Sequence, residues 1–185
     1  MQRLTAVLGC SCVFAAALSG CATAPPKALE LPPLRLAPAL LGRPLNLQQH
    51  LTLQAPGREQ QLDVLLEADA QHVQLGVVAL GQVAARLDWD GATLAEDKAP
   101  WWPQAVSGAR ILSDLQLVLW PVAAIQATLP AGWRLVEEGN VRTLTQDGEV
   151  VTVVTRASPW VVELDQRREH FRLRIESREA GASTP

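Results

Sequence analysis

The sequence predicts a mainly β fold with an α lid: a curled antiparallel sheet that forms an unclosed half-barrel, with one or two helices across its concave face. Apolar and polar residues alternate through most of the chain after Leu45, and this period of two is typical of half-buried strands. Residues 109–119 instead repeat apolar positions every three or four residues, as a helix does. A sheet and a helix with one apolar face each bury both faces by packing together.

The predicted strands are short and separated by turn-forming residues. Alternating apolar positions place them at 45–53, 62–66, 73–77, 83–89, 141–145, 150–155, 160–164 and 171–175. Two Asp-Gly pairs, Asp90-Gly91 and Asp147-Gly148, each predict a tight hairpin turn in which both residues have positive φ. With the segments that flank these turns, about nine or ten strands are expected.

The helical segment is bounded by recognisable start and stop signals. Ser107 is the expected N-cap, and Pro121 ends the helix. A second short helix is expected over 122–129, before the chain returns to strand. Asp114 lies inside the first helix, and we interpret it as part of a solvated face in preference to a hydrogen-bond partner of a neighbouring loop.

The N-terminal segment has the anatomy of a bacterial lipoprotein signal peptide. Arg3 provides a cationic start, residues 4–18 an apolar run, and Ser19-Gly20 the small residues before Cys21. Cleavage there makes Cys21 the lipidated N-terminus and leaves the mature chain without a second cysteine for a disulfide. An ordinary secretory signal or a membrane helix is the alternative, although the run is short for a bilayer span.

Four segments follow from this pattern and from composition. Residues 1–20 form the signal peptide, 21–44 a proline-rich tether, 45–178 the half-barrel domain and 179–185 a flexible tail. The net charge is −3 and no basic run is present, which argues against nucleic acid as a partner.

Three short segments carry a family resemblance: Leu87-Asp88-Trp89-Asp90-Gly91, Asp114-Leu115-Gln116-Leu117 and Trp120-Pro121. They resemble an uncharacterised family of small Gram-negative outer-membrane lipoproteins, often encoded beside fatty-acid-like and aryl-polyene biosynthesis genes. The overall plan is similar to that of the LolA/LolB lipoprotein carriers, whose unclosed half-barrel holds acyl chains beneath helices. In resembling lipoproteins the residue after the lipidated cysteine sorts the protein, and Ala22 in place of Asp implies the periplasmic face of the outer membrane.

A hydrophobic ligand in the half-barrel would be lined by inward-facing apolar residues of the strands and the lid. The candidates are Leu75, Val77, Leu87, Trp89, Ile111, Leu115, Leu119 and Trp120. The alternative, which the pattern alone favours, is that these residues pack against one another as a core and leave no cavity.

The segment Pro100-Trp101-Trp102-Pro103 fits neither a strand nor a helix. At least one of the two Trp residues is expected near the surface or at the mouth of the half-barrel. A membrane-facing tip suits the indole ring, which partitions to the membrane interface. Alternatively, both rings plug the end of the barrel beneath the helix.

The sequence offers no catalytic or metal-binding motif. The three His residues lie on separate segments without metal-ligand spacing, and no Ser lies in a nucleophile elbow. A glycine-rich phosphate loop is also missing. We therefore expect no enzyme activity, no metal and no cofactor.

These observations favour an outer-membrane-anchored periplasmic lipoprotein that binds or transfers a hydrophobic ligand: an acyl chain, a lipid or a polyene. Its expected partners are the outer membrane, through the N-terminal lipid, and a periplasmic carrier or export complex. One alternative is a non-enzymatic accessory subunit of an envelope lipid export complex. A further alternative is an acyl hydrolase whose Ser, His and Asp residues assemble in space.

Overall fold

The computed structural model describes residues 34–103 and 106–181, so Cys21, the predicted signal peptide and the first part of the tether lie outside the described residues. The prediction of a mainly β fold with helices is confirmed. The strands are β1 (Leu45–Ala55), β2 (Arg58–Ala68), β3 (Val73–Ala79), β4 (Gln82–Trp89), β5 (Leu94–Lys98), β6 (Trp133–Glu138), β7 (Val141–Gln146), β8 (Glu149–Ser158), β9 (Val161–Gln166) and β10 (Phe171–Glu179). The helices are α1 (Gly108–Leu119) and α2 (Val122–Gln126).

The ten strands form one antiparallel sheet with the order β5-β4-β3-β2-β1-β10-β9-β8-β7-β6. Each half of the sheet is a meander in which neighbours in sequence pair. The first and last strands join the two halves, with Leu51 opposite Ile175 in the register. The centre of the sheet is therefore built from the two ends of the domain, and β5 and β6 are its edges.

The sheet curls around α1. Ten strands at a spacing of about 4.8 Å would span roughly 45 Å if flat, whereas a helix is about 10 Å wide. The helix nevertheless reaches both halves of the sheet. At its start, the backbone N–H of Gly108 donates to Glu96 of β5 at 3.0 Å. At its end, Arg142 of β7 donates to the carbonyl of Trp120 at 2.8 Å.

The predicted helix begins and ends close to its expected bounds. The hydroxyl of Ser107 accepts a hydrogen bond from the backbone N–H of Arg110 at 3.2 Å, which confirms the N-cap. The second helix, α2, ends at Gln126 instead of residue 129. Beyond it, the backbone N–H and the hydroxyl of Thr128 both donate to the carbonyl of Ile125, at 2.9 and 2.8 Å, in a tighter turn that does not continue the α-helix.

The two Asp-Gly pairs form different turns. Asp147 and Gly148 both have positive φ, 50° and 87°, as a tight hairpin turn requires. At the other pair the prediction was wrong, because only Gly91 has a positive φ. There the carboxylate of Asp90 accepts from the backbone N–H groups of Ala92 at 2.7 Å and Thr93 at 2.6 Å, and this side-chain turn supports a longer loop.

Residues 34–44, at the end of the predicted tether, pack on the domain. Leu34, Leu36 and Leu41 are buried. The side-chain amide of Gln116 on α1 binds both backbone groups of Leu36, accepting from its N–H at 3.0 Å and donating to its carbonyl at 2.9 Å. This segment therefore adds a third layer beside the sheet and the helix.

Candidate functional site

A cavity of about 350 Å³ lies between α1 and the central strands of the sheet. Its floor is formed by inward-facing residues of β1, β2, β3, β9 and β10, among them Leu53, Leu62, Leu164 and Leu173. Its roof is the face of α1 that carries Ile111, Leu115 and Leu119. Most of the lining is aliphatic, so the site can shelter a hydrophobic group from water.

The cavity exists because the lid is shorter than the floor. α1 has 12 residues and is about 18 Å long, whereas β1 and β2 have 11 residues each and are about 36 Å long. The inward residues at the start of β1, Leu45 and Leu47, are buried. Those nearer its end, Leu51 and Leu53, are only half-buried. The uncovered end of the β1–β2 hairpin is therefore the mouth of the cavity.

The predicted lining residues divide into two groups. Lining the cavity are Leu75, Val77, Ile111, Leu115 and Leu119. The other three predicted lining residues, Leu87, Trp89 and Trp120, do not line it, so the prediction is corrected for them. They are buried in the core, where the indole N–H groups of Trp89 and Trp120 donate to the carbonyls of Leu36 at 2.8 Å and Ala37 at 3.3 Å. Residues 34–44, which the sequence pattern assigns to a tether, therefore cover the two indoles.

The residues predicted to line the cavity do not include those at the centre of its floor. The residues concerned are Leu51, Leu53, Leu62, Phe171 and Leu173. Their alternation with polar residues was visible and indicated which side of each strand is apolar. What was missing was the pairing of β1 with β10, which brings these strands together at the centre of the sheet.

The two adjacent Trp residues have different environments. Trp102 is 6% exposed, lines the cavity and donates its indole N–H to the carbonyl of Val106 at 3.0 Å. Trp101 is 45% exposed and meets Trp102 edge-on, with ring centroids 6.5 Å apart. At the same end of the sheet, Leu80 at the tip of the β3–β4 turn is 90% exposed. This end of the domain therefore presents apolar side chains to solvent beside the cavity.

A polar network closes one side of the cavity. Asp114 accepts from the Nε of Arg110 at 2.8 Å and from the side-chain amide of Gln166 at 2.9 Å. Arg110 also forms an ion pair with Glu169 and lies over the ring of Phe171, 5.8 Å from its centroid. The preferred interpretation of Asp114 as part of a solvated face is wrong. The curl of the sheet brings β9 against the helix, so the carboxylate bonds to a neighbouring strand.

Burial raises the pKa of the Asp114 carboxyl, and the bonds from Arg110 and Gln166 oppose this effect without cancelling it. Burial also lowers the pKa of Arg110, but the attraction of Asp114 and Glu169 outweighs it, so that pKa is raised. Arg110 is therefore charged, and the two carboxylates beside it offset its charge. Its electrostatic attraction for an anionic ligand is weak for this reason.

No group of three or more His, Cys, Asp and Glu side chains in the described ranges could hold a metal ion. His50 and His72 form pairs with Asp63 and Asp88, each at 2.9 Å. Ser113, on α1, accepts from the backbone N–H of Leu34 at 3.1 Å. Between residues 34 and 181, leaving aside 104 and 105, no helix is long and apolar enough to cross a bilayer.

Comparison with known proteins gives a family and distant structural likeness. A search of curated proteins gives no match. A chain in the complex structure of Pseudomonas aeruginosa MucA/MucB is similar, with 17% sequence identity and a TM-score of 0.39 over 82% of this chain and 56% of that chain. This chain thus spans little more than half the length of that one. The model of the family described as "Protein of unknown function (DUF3261)" matches residues 46–179. The chain therefore belongs to the DUF3261 family.

Proposed function

We propose that this protein is a non-enzymatic lipoprotein of the bacterial envelope that binds a hydrophobic chain in the cavity beneath α1. The cavity of about 350 Å³ with aliphatic walls is the observation that carries the proposal. Its volume falls within the range of roughly 300–1,000 Å³ typical of ligand sites. Each methylene group moved from water into such a site contributes about 0.8 kcal/mol.

The construction of the floor also supports a ligand site. The strands satisfy one another's backbone hydrogen bonds, so the floor presents side chains and no unpaired N–H or C=O groups. Among the described residues, no buried side-chain nitrogen or oxygen lacks a partner. The polar side chains that line the cavity inside the mouth, Gln49 and Asp114 among them, already have hydrogen-bond partners, so a chain lying on this surface would meet no unsatisfied polar group there. The similarity of the sequence plan to the LolA/LolB carriers agrees with this role.

A fluorescent fatty acid tests the proposal directly on the full chain. Leu115→Asp places a carboxylate in the roof of the cavity and should weaken binding at least tenfold, because an unpaired charge is costly in an apolar site. Val136→Asp changes an exposed residue of β6 and is the matched control. Circular dichroism must show that both variants fold. Equal binding by both folded variants, or no binding by the unaltered chain, would reject the proposal and favour the accessory-subunit alternative.

Lipidation of Cys21 and an outer-membrane location belong to the same proposal. They rest on the signal-peptide anatomy of residues 1–20 and on Ala22 after the cysteine. A diacylglyceryl thioether with an added acyl chain gives a stable anchor, since a single chain binds membranes only marginally. Cys21→Ser should remove the protein from the outer-membrane fraction, whereas Cys12→Ser should not. Unchanged fractionation of Cys21→Ser would contradict the anchor.

The mouth of the cavity is proposed to face the membrane. Exposed Trp101 lies beside it, and indole groups favour the interface between headgroups and hydrocarbon. Trp101→Ala should reduce the quenching of the full chain's tryptophan fluorescence by phosphatidylethanolamine and phosphatidylglycerol vesicles that carry brominated acyl chains, a readout that reports on ring position even when the N-terminal lipid holds the chain on the vesicle. Trp160→Ala is the matched control, because Trp160 is 47% exposed in the β8–β9 turn at the opposite end of the sheet. An equal effect of the two changes would rule out a specific membrane-facing end.

A further inference from the structure

The polarity of the cavity floor changes along β2. Its inward-facing residues are, in order, Arg58, Gln60, Leu62 and Val64, and all of them line the cavity. The two polar residues lie at the hairpin tip, beyond the point where β3 ends opposite the strand. The two apolar residues lie beneath the helix. From Arg58 to Val64 the strand rises about 20 Å, so β2 passes from polar to apolar over the length of an extended chain. The paired strand β1 does not share this change, because Leu53 and Ala55 lie at the mouth and Gln49 lies opposite Val64.

Arg58 differs from the other arginine of the cavity. In residues 34–103 and 106–181 the structure gives its guanidinium no hydrogen bond and no ion pair, whereas Arg110 is bound to both Asp114 and Glu169. The neighbouring acid, Glu59, points to the other face of the sheet and accepts from Gln54 at 2.9 Å. Arg58 therefore brings to the mouth an exposed guanidinium that is unpaired among the described residues, although the charges of the whole lining, those of Arg58, Arg110, Asp114 and Glu169, sum to zero.

We infer that the cavity takes a single-chain amphiphile with a carboxylate head, a long-chain carboxylic acid, with the head at Arg58 and Gln60. This inference rests on the proposed function and names its ligand class. A guanidinium matches a carboxylate through two parallel N–H donors, and the Gln60 amide offers a further donor two residues along the strand. The hydrocarbon then runs over Leu62 and Val64 beneath α1.

The size of the cavity supports one chain instead of several. A volume of about 350 Å³ is near the lower limit for ligand sites, roughly 300 Å³. The floor is long, so this volume corresponds to a narrow channel. Lipids with two or three acyl chains would need either a wider floor or chains left in water, at about 0.8 kcal/mol for each exposed methylene.

Photocrosslinking of the full chain in membranes tests this inference. The probes are a diazirine-bearing long-chain fatty acid, the fatty alcohol of the same length and a diacyl phospholipid with the same label, and mass spectrometry locates the labelled peptides. The fatty acid should label cavity peptides more than the other two. Arg58→Gln should reduce fatty-acid labelling about three- to tenfold and leave alcohol labelling unchanged, and Arg58→Lys should retain part of it. Arg178→Gln, an exposed arginine at the far end of β10, should change nothing.

The outcomes separate this inference from the proposed function. Equal labelling of cavity peptides by acid and alcohol, with no effect of Arg58→Gln, overturns the carboxylate head while hydrophobic binding stands. Labelling by the phospholipid as strong as that by the fatty acid overturns the single chain. Failure of every probe to label peptides of β1, β2, β10 or α1 overturns both proposals.

Discussion

The two sides of helix α1 show how one pattern can build either a core or a cavity. Leu117 is 1% exposed and belongs to the packed core, which residues 34–44 complete. Leu115 lies two residues away on the same helix, is half-buried and lines the cavity. Both are leucines at helix positions that face protein. The difference lies in what meets them: one has a complete set of neighbours, and the other faces floor residues across a gap.

The largest expected effect comes from comparing these two leucines directly. Leu117→Ala should lower the free energy of unfolding by about 2–5 kcal/mol, because it opens a void in a close-packed region. Leu115→Ala should cost about 1 kcal/mol or less, since its side chain already borders empty space. Urea unfolding of the full chain, followed by circular dichroism, measures both. Equal losses would mean that both sides of the helix are equally packed.

The next largest effect is expected at the C-terminal end of α1, on the packed side of the helix. Arg142 is 7% exposed and donates to the carbonyls of Leu117, Val118 and Trp120 at 3.1, 3.2 and 2.8 Å. Arg142→Met should cost about 2–4 kcal/mol, because two of these buried carbonyls lose their side-chain donor, whereas that of Val118 keeps a bond from Arg156. Arg134→Met, at an exposed position of β6, should stay within about 0.5 kcal/mol. The same unfolding measurement checks both, and a small effect at Arg142 would show that water replaces its bonds.

Adding volume should rank the two leucines in the same order as removing it, with a smaller difference between them. Leu117→Phe should cost about 1–3 kcal/mol, because extra atoms in a packed core force neighbours to move. Leu115→Phe should be nearly neutral in stability and should reduce fatty-acid binding by filling the channel. Thermal unfolding and probe titration measure the two quantities. A destabilised Leu115→Phe variant would indicate that the cavity closes around its lining.

The smallest expected effect is a pH dependence that arises on the cavity side. Because the pKa of Asp114 is raised in the folded protein, its contribution to stability is greatest below the unfolded pKa, about 4, and is lost as the pH rises through the folded value. Asp114→Asn can still accept from Gln166 and removes this titration. The stability of the unaltered protein relative to Asp114→Asn should therefore fall from pH 4 towards neutrality. A difference independent of pH would contradict the raised pKa.

Features set by neighbours in sequence were predictable. The strand pattern and α1 with its Ser107 cap follow from periods and capping chemistry that act within a few residues. The turn at Asp147-Gly148 was predicted for the same reason, whereas Asp90 shows that an identical pair can bind its loop through the side chain instead. The environment of Asp114 was not predictable, because its partner Gln166 lies 52 residues away in the chain.

Residue order alone specified which faces of the strands and of α1 are apolar, because that depends only on the local repeat of side chains. The three-dimensional arrangement decided which of those faces touch. Pairing of β1 with β10 placed the ends of the domain at the centre of the floor, and packing of residues 34–44 closed one side of the helix. A cavity is a mismatch between the lengths and positions of distant elements, and such a mismatch exists only after they have packed.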